Sequence, residues 1–306
     1  MRQTYGDVTA EYRAIHDGVA LVRGAHDLCW VEGPDTVPFL QGILSQDLDA
    51  IPAGTVGRSL LLSPQGKLGA LLWLAVGEEK VGVVTDAGDG ATVAETLGYY
   101  RIRVKAEIRV DERPLHELWG PGADDLGGAW TDLDGVARID LSVPGLRRVL
   151  VAGEIDPPPG AVPAGELAVT ASRVEVGEPV MGRDVDEKTI PQESGMAGAA
   201  VSFTKGCYLG QELVARIDSR GRVNRHLRGV VLRANVLPPE GATVVAGDRE
   251  VGSLTSVSES LAVKAPVGLS LVRREVEPGD EVVIRWDGGE APAVVEELPL
   301  LGDTRE

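Results

Sequence analysis

An α+β body followed by a small antiparallel β-barrel or sandwich is the fold class that the sequence predicts. Two observations carry it. The first ~110 residues alternate between helical and strand periodicities, and the last ~80 hold only short strand-like runs separated by turn signals. The length of 306 residues allows about two domains at roughly 150 residues each. With 43% apolar, 25% charged and 4% aromatic residues, the chain has the balance of a globular protein and not of a disordered tail.

In chain order, Val8 to His16 reads as a short helix and Ala25 to Val31 as a strand. Gly33-Pro34-Asp35 reads as a helix start, with Val37, Leu40, Gln41 and Leu44 following at helical spacing. Two apolar runs around Ser63-Pro64-Gln65-Gly66-Lys67 predict a β-hairpin, and Lys80 to Thr85 extends the sheet. Asp89 to Tyr100 places Val93, Leu97 and Tyr100 on one helical face, and Val104 to Val110 alternates as a strand. Helices on one face of an antiparallel sheet would bury both apolar sets. Gly153 to Gly165 holds four prolines and three glycines, which excludes a helix or an interior strand. Glu166 to Val176 is compatible with a helix. Gly229 to Arg233, Glu250 to Val257 and Glu281 to Trp286 are short strands of the terminal β unit.

Thirty basic against 47 acidic residues give a net charge of −17, which excludes a surface that is basic throughout and argues against nucleic acid or an anionic membrane as a general partner. One segment runs the other way: from Lys205 to Arg233 seven residues are basic (Lys205, Arg216, Arg220, Arg222, Arg225, Arg228, Arg233) and two acidic (Glu212, Asp218). The longest apolar run, Ala70 to Val76, falls far short of the ~20 residues of a membrane-spanning helix. The polar N-terminus lacks the pattern of a secretory signal, so a cytoplasmic location is expected. Cys29 and Cys207 are the only cysteines and the four histidines are scattered. No metal centre is expected, and no stable iron–sulfur cluster in a monomer, since a cluster takes four thiolates.

Val201 to Arg216, VSFTKGCYLGQELVAR, is the most informative segment. Gly206 and Gly210 flank Cys207 and Tyr208 in a tight loop, and Gln211 to Ile217 reads as a helix with Leu209, Leu213 and Ile217 on one face. A thiol before a helix N-terminus, two residues from Lys205, is favoured as thiolate; the alternative is a small buried hydrophobe. Cys29, inside an apparent strand, is read as buried. Tyr208 and Trp73 are the aromatics considered for stacking on a flat heterocycle.

KGCYLGQE, Lys205 to Glu212, resembles the signature of the YgfZ family, folate-binding proteins that assist iron–sulfur cluster assembly and are related to the glycine-cleavage T-protein. The similarity extends to VEGPDTVPFLQGILSQDL, YRIRVKAEI, VGEPVMGRDVDEKTIPQES, EVGSLTSVSES and APVGLSLV. The resemblance implies a T-protein-like ring around a folate site: a body over 1–222 in two mixed α+β portions, 1–110 and 111–222, then a C-terminal antiparallel β-barrel over 223–306. It implies Cys207 as the functional thiol with Lys205 beside it. Tyr208, Gly206, Gly210, Gln211 and Glu212 stand where the family has them. Glu175, in SRVEVGEP, resembles the glutamate that faces the pterin, where one carboxylate accepts a ring N–H and an amino group together; without the resemblance it would read as an exposed helix residue. Apart from the resemblance, the arginine-rich segment that includes Arg216 and Arg225 is read as a patch for an anion such as the carboxylates of the folate tail, the alternatives being a solvated loop and strand edge and, for Arg216, a pair with Glu212 at i, i+4 along the helix.

Tetrahydrofolate or a one-carbon derivative is thus the implied cofactor, iron–sulfur proteins or assembly factors the implied partners, and a monomer the expected state. The chain departs from the T-protein where that protein carries an acidic pair after its hairpin: the aligned positions are Gly69 and Ala70. This argues against classical aminomethyl transfer. A folate-dependent one-carbon transferase is the first alternative, and an RNA-binding module built on the arginine-rich segment the second.

Overall fold

The computed structural model describes residues 1–302, the side chains of 219 and 220 excepted. The first stretch of chain gives α1 (Val8–Asp17), β1 (Ala20–Val22), β2 (His26–Glu32), α2 (Thr36–Gln41), β3 (Thr55–Leu62), β4 (Leu68–Val76), β5 (Lys80–Asp86), α3 (Gly90–Tyr100) and β6 (Glu107–Val110). Next come β7 (Leu115–Trp119), β8 (Trp130–Leu133), β9 (Val136–Asp140), β10 (Arg148–Ala152), β11 (Val162–Pro163), α4 (Glu166–Val176), α5 (Ala197–Ala200) and α6 (Gln211–Arg220). The last are β12 (Arg225–Leu232), β13 (Thr243–Ala246), β14 (Arg249–Ser260), β15 (Ala265–Arg273), β16 (Glu281–Trp286) and β17 (Gly289–Glu296).

Three sheets result: a five-stranded one in the order β3-β4-β5-β2-β6, a six-stranded one in the order β11-β1-β7-β10-β9-β8, and a closed barrel β12-β15-β14-β13-β16-β17. The α+β body and the terminal barrel are as predicted. The division at residue 110 is crossed, because β1 pairs with β7 in the second sheet and Tyr12 and Ile15 of α1 share a core with Trp119 and Ala168. Pro34 lies two positions before α2, whose first residue is Thr36. Residues 111–152, for which the sequence pattern predicts no element, hold β7 to β10.

Strand β4 is apolar throughout because both its faces are covered. Leu72, Leu74 and Val76 meet Phe39, Leu40 and Leu97 of the helices. Trp73 and Ala75 point the other way, to Ile139 and Leu150 of the second sheet. The same period of two sorts β2: Cys29 and Val31 face the helices, Leu28 and Trp30 the second sheet.

Helix α4 joins the three parts. It is buried from Ala168 to Glu175, so its polar residues need protein partners. Arg173 donates to Asp184 (Oδ2, 2.6 Å) and to the carbonyl of Glu178, and also to Ser256 of the barrel. Gly177, at φ +73°, caps the helix in the left-handed conformation and turns the chain into the segment that carries Glu178.

Candidate functional site

A cavity of about 310 Å³ is lined by the end of β2, by β3, β4, the end of β5, β7, β10, α4 and the turn after α4. That volume is at the lower end of the ~300–1000 Å³ of small-molecule sites. Leu71, Trp73 and Trp119 supply its apolar wall. Arg58 lies 3.8 Å over the Trp73 ring, and Arg148 lies 5.1 Å over Trp119. Glu178 bridges the two guanidiniums, accepting from Arg58 Nη1 at 2.8 Å and from Arg148 Nη2. Burial by itself would raise the Glu178 carboxyl, but Arg148 and Arg58 overcome it and hold the group at about 2. Burial pulls the Arg58 guanidinium below its ordinary value.

The polar edge of the cavity is His26 and Asp86, register partners on β2 and β5. His26 Nδ1 is 2.9 Å from Glu117 Oε1, and Trp119 Nε1 donates to Glu117 Oε2 at 2.8 Å. Burial depresses the imidazole, but Glu117 and then Asp86 outweigh it, and the net shift is upward. Asp86 accepts the backbone N–H of Met181 at 2.8 Å. Burial pushes its carboxyl up to about 6, although His26 and that N–H pull it down.

The signature segment forms a second, separate feature. Gly210 has φ +78° and lies against the hairpin tip, where a Cβ would meet the Ser63 carbonyl and the Gly66 backbone. Gly66, at φ +70°, is held in turn by Gly210 and Leu213. Only glycine combines that conformation with so close an approach. The Lys205 ammonium donates to the carbonyls of Gln41 (2.7 Å), Leu44 (2.8 Å) and Gln46 (2.8 Å), and burial pulls it down to about 8. The loop is therefore fastened at both ends, and Cys207 between them is exposed, whereas Cys29 is buried with its thiol pushed up to about 12 by burial.

None of the residues chosen from the signature lines the cavity. Lys205 holds the 41–46 turn and is not a hydrogen-bond partner of Cys207. Tyr208 is half-buried against Leu60, Leu62 and Val214, and its backbone N–H donates to Gln211 Oε1 at 3.2 Å. Gly206 has open space around it, and Glu212 and Arg216 lie on the exposed side of α6. Arg225 is clasped by Glu193, Nε to Oε1 at 3.1 Å and Nη2 to Oε2 at 2.9 Å.

Glu175 is not the exposed helix residue that its local sequence suggested. It is fully buried: Oε1 accepts from Tyr12 at 2.7 Å and from Ser260 of the barrel, and Oε2 lies 3.3 Å from His16 Nε2. These contacts tie α1, α4 and the barrel together. The cavity carboxylates are Glu178, Asp86 and Glu166. Of the aromatics considered for stacking, Trp73 lines the cavity and Tyr208 does not. His26, Arg58, Asp86, Arg148 and Glu178 escaped the sequence reading. A local signal exists for Arg148 alone, a charge in the otherwise apolar and buried strand RVLVA.

Comparison with known proteins places this geometry among relatives. Residues 225–301 match the family model "Glycine cleavage T-protein C-terminal barrel domain". The aminomethyltransferase of Chlorobium luteolum is 24% identical over 97% of this chain and 91% of its own. The human mitochondrial iron–sulfur cluster assembly factor IBA57 is 31% identical over 82% of this chain and 78% of its own. Among solved structures, the glycine cleavage system aminomethyltransferase T of Bartonella henselae superposes with a TM-score of 0.89 at 20% identity, covering 98% of this chain and 91% of that one. At that identity the likeness shows the fold.

Proposed function

The chain belongs to the aminomethyltransferase-like family that includes the human iron–sulfur cluster assembly factor IBA57, and from that membership we propose that it is a folate-binding accessory protein for iron–sulfur cluster assembly or repair, YgfZ-like in type. Its cavity would hold the pterin of tetrahydrofolate, and Cys207 would be its functional thiol. The observation that carries the reading is the exposed Cys207 in a loop fastened by Lys205 on one side and Gly210 on the other. The cavity fits the cofactor in kind: Leu71, Trp73 and Trp119 give it an apolar wall, and His26 and Asp86 give it a polar edge.

Two measurements test it. Calorimetric titration of the full chain with tetrahydrofolate is expected to show saturable binding. A Cys207→Ser strain is expected to lose the activity of iron–sulfur enzymes while the variant accumulates folded; unchanged activities would remove Cys207 from the role.

One observation favours a second reading, folate-dependent one-carbon transfer. The T-protein's acidic pair is replaced here by Gly69 and Ala70, yet the cavity has an acid from another strand, Asp86 of β5, poised at about 6. Turnover of an aminomethyl-lipoyl carrier protein or of a methylated glycine with tetrahydrofolate would support this reading, and none would leave the first alone.

A further inference from the structure

The turn beyond α2 gathers oxygen atoms around one point. Its middle is fastened to β3 and to residues 199–202. Ser45 N–H donates to the Leu60 carbonyl at 3.1 Å, Ser45 Oγ to the Ala200 carbonyl at 2.6 Å, and Ser202 N–H to the Ser45 carbonyl at 2.9 Å. Gln46 N–H donates to Ser59 Oγ at 3.1 Å, and Gln46 Nε2 to the Ala199 carbonyl at 2.9 Å. The Gln41 amide is set in the same way, its Nε2 donating to Asp47 Oδ1 at 2.7 Å and its Oε1 accepting from Leu48 N–H at 2.8 Å. Four oxygens thereby converge where the helix ladder no longer supplies donors. Lys205 Nζ sits among them, 2.7 Å from the Gln41 carbonyl, 2.8 Å from those of Leu44 and Gln46, and 3.2 Å from Gln41 Oε1.

None of the bonds that fasten the turn involves Lys205, so the oxygens are aimed before their occupant arrives. A lysine that merely caps a helix takes the carbonyls of its own last turn; Lys205 comes from 164 residues further along the chain. Its three protons face four acceptors, one fewer than a free ammonium ion would bring. The Tyr208 ring lies 5.3 Å from Nζ, within reach of a cation–π contact. Burial pulls the ammonium down to about 8, against the charges of Asp47 and Asp49, so the group is still a cation at neutral pH. Carbonyl oxygens arranged in this manner replace the hydration shell of a small monovalent cation.

We infer that the 41–46 turn is a binding site for a monovalent cation of ammonium size, filled within this chain by Lys205, and that its occupancy sets the position of the loop carrying Cys207. Lys205 is on this account a positioning residue: it acts on the thiol two places along by anchoring the loop and makes no bond to it. A turn emptied of the lysine takes up the free ion.

The test is hydrogen exchange of the backbone amides of the turn and of residues 203–208 in the full chain, for the wild type and Lys205→Ala. Ammonium, potassium and tetramethylammonium chloride are compared at about 0.2 M, so that general screening is the same in all three. In tetramethylammonium, which is larger and has no N–H, Lys205→Ala is expected to exchange about tenfold or more faster than the wild type, the loss of a hydrogen bond to a charged group. Ammonium is expected to slow the variant about threefold, the factor for a site about two-thirds filled, and to leave the wild type unchanged because its site is full. Slowing by ammonium alone supports a site that reads N–H donors; slowing by potassium as well supports one that reads charge and size. Equal exchange of the variant in all three salts, or the same response to ammonium in the wild type, overturns the inference. Should Lys205→Ala not fold, nitrogen-15 NMR of the wild type decides: the Lys205 Nζ protons are expected as a separate, slowly exchanging signal, and their loss to fast exchange with solvent overturns it. None of these outcomes bears on folate binding or on the Cys207→Ser strain, so failure here leaves the proposed function standing.

Discussion

At the scale of single residues, the cavity pairs two carboxyls whose surroundings push them apart. Glu178 sits between two guanidiniums and its folded-state value of about 2 is below that of the unfolded chain. It therefore contributes stability above pH ~4.5 that is lost as pH falls towards 2, about 3 kcal/mol at most. Asp86 is raised to about 6, so its sign is opposite: the folded state binds the extra proton, and stability decreases as pH rises from ~4 to 6. Two outcomes follow for urea unfolding. Glu178→Gln is expected to cost about 3 kcal/mol at pH 7.5, since Arg148 is left buried without a counter-charge. Asp86→Asn is expected to stabilise the protein at the same pH by about 1–2 kcal/mol and to flatten its stability between pH 4 and 6.

At the scale of elements, the signature loop and the hairpin tip are one unit built from parts more than a hundred residues apart. Gly210→Ala forces a Cβ into the Ser63 carbonyl at a positive φ and is expected to cost about 1–3 kcal/mol. Gly206→Ala, four residues earlier with open space around it, is expected to stay within about 0.5 kcal/mol of wild type. Equal effects of the two in urea unfolding would refute this account of the loop. Lys205→Met removes the donor shared by three carbonyls of the 41–46 turn, and faster amide exchange in both that turn and residues 203–208 is the expected result. Thiol titration of the native protein is expected to modify Cys207 rapidly and to leave Cys29 unmodified until unfolding, as their burial requires.

At the scale of the whole molecule, α4 couples body to barrel through charges that have no solvent to fall back on. Arg173 meets Ser256 and Asp184, and Glu175 meets Ser260. The chain is expected to unfold in one calorimetric transition, and Arg173→Leu, which deprives buried Asp184 of its cation, to lower stability by about 3 kcal/mol and split the barrel from the body as a separate transition. Pattern along the sequence is enough to read α1, the β3–β4 hairpin, α4 and three of the six barrel strands, β12, β14 and β16. Each buries one face or stripe against a neighbour, and that requirement is written every two or every 3.6 residues along the chain. The KGCYLGQE motif likewise located the loop that presents Cys207. The cavity was decided by the tertiary structure alone. His26, Arg58, Asp86, Arg148 and Glu178 lie on five separate segments, and which charges meet depends on strand register and sheet order, not on any local pattern. For the same reason a glutamate on a helix with both polar and apolar residues read as exposed: nothing within α4 records that α1 and the barrel close over Glu175 from either side.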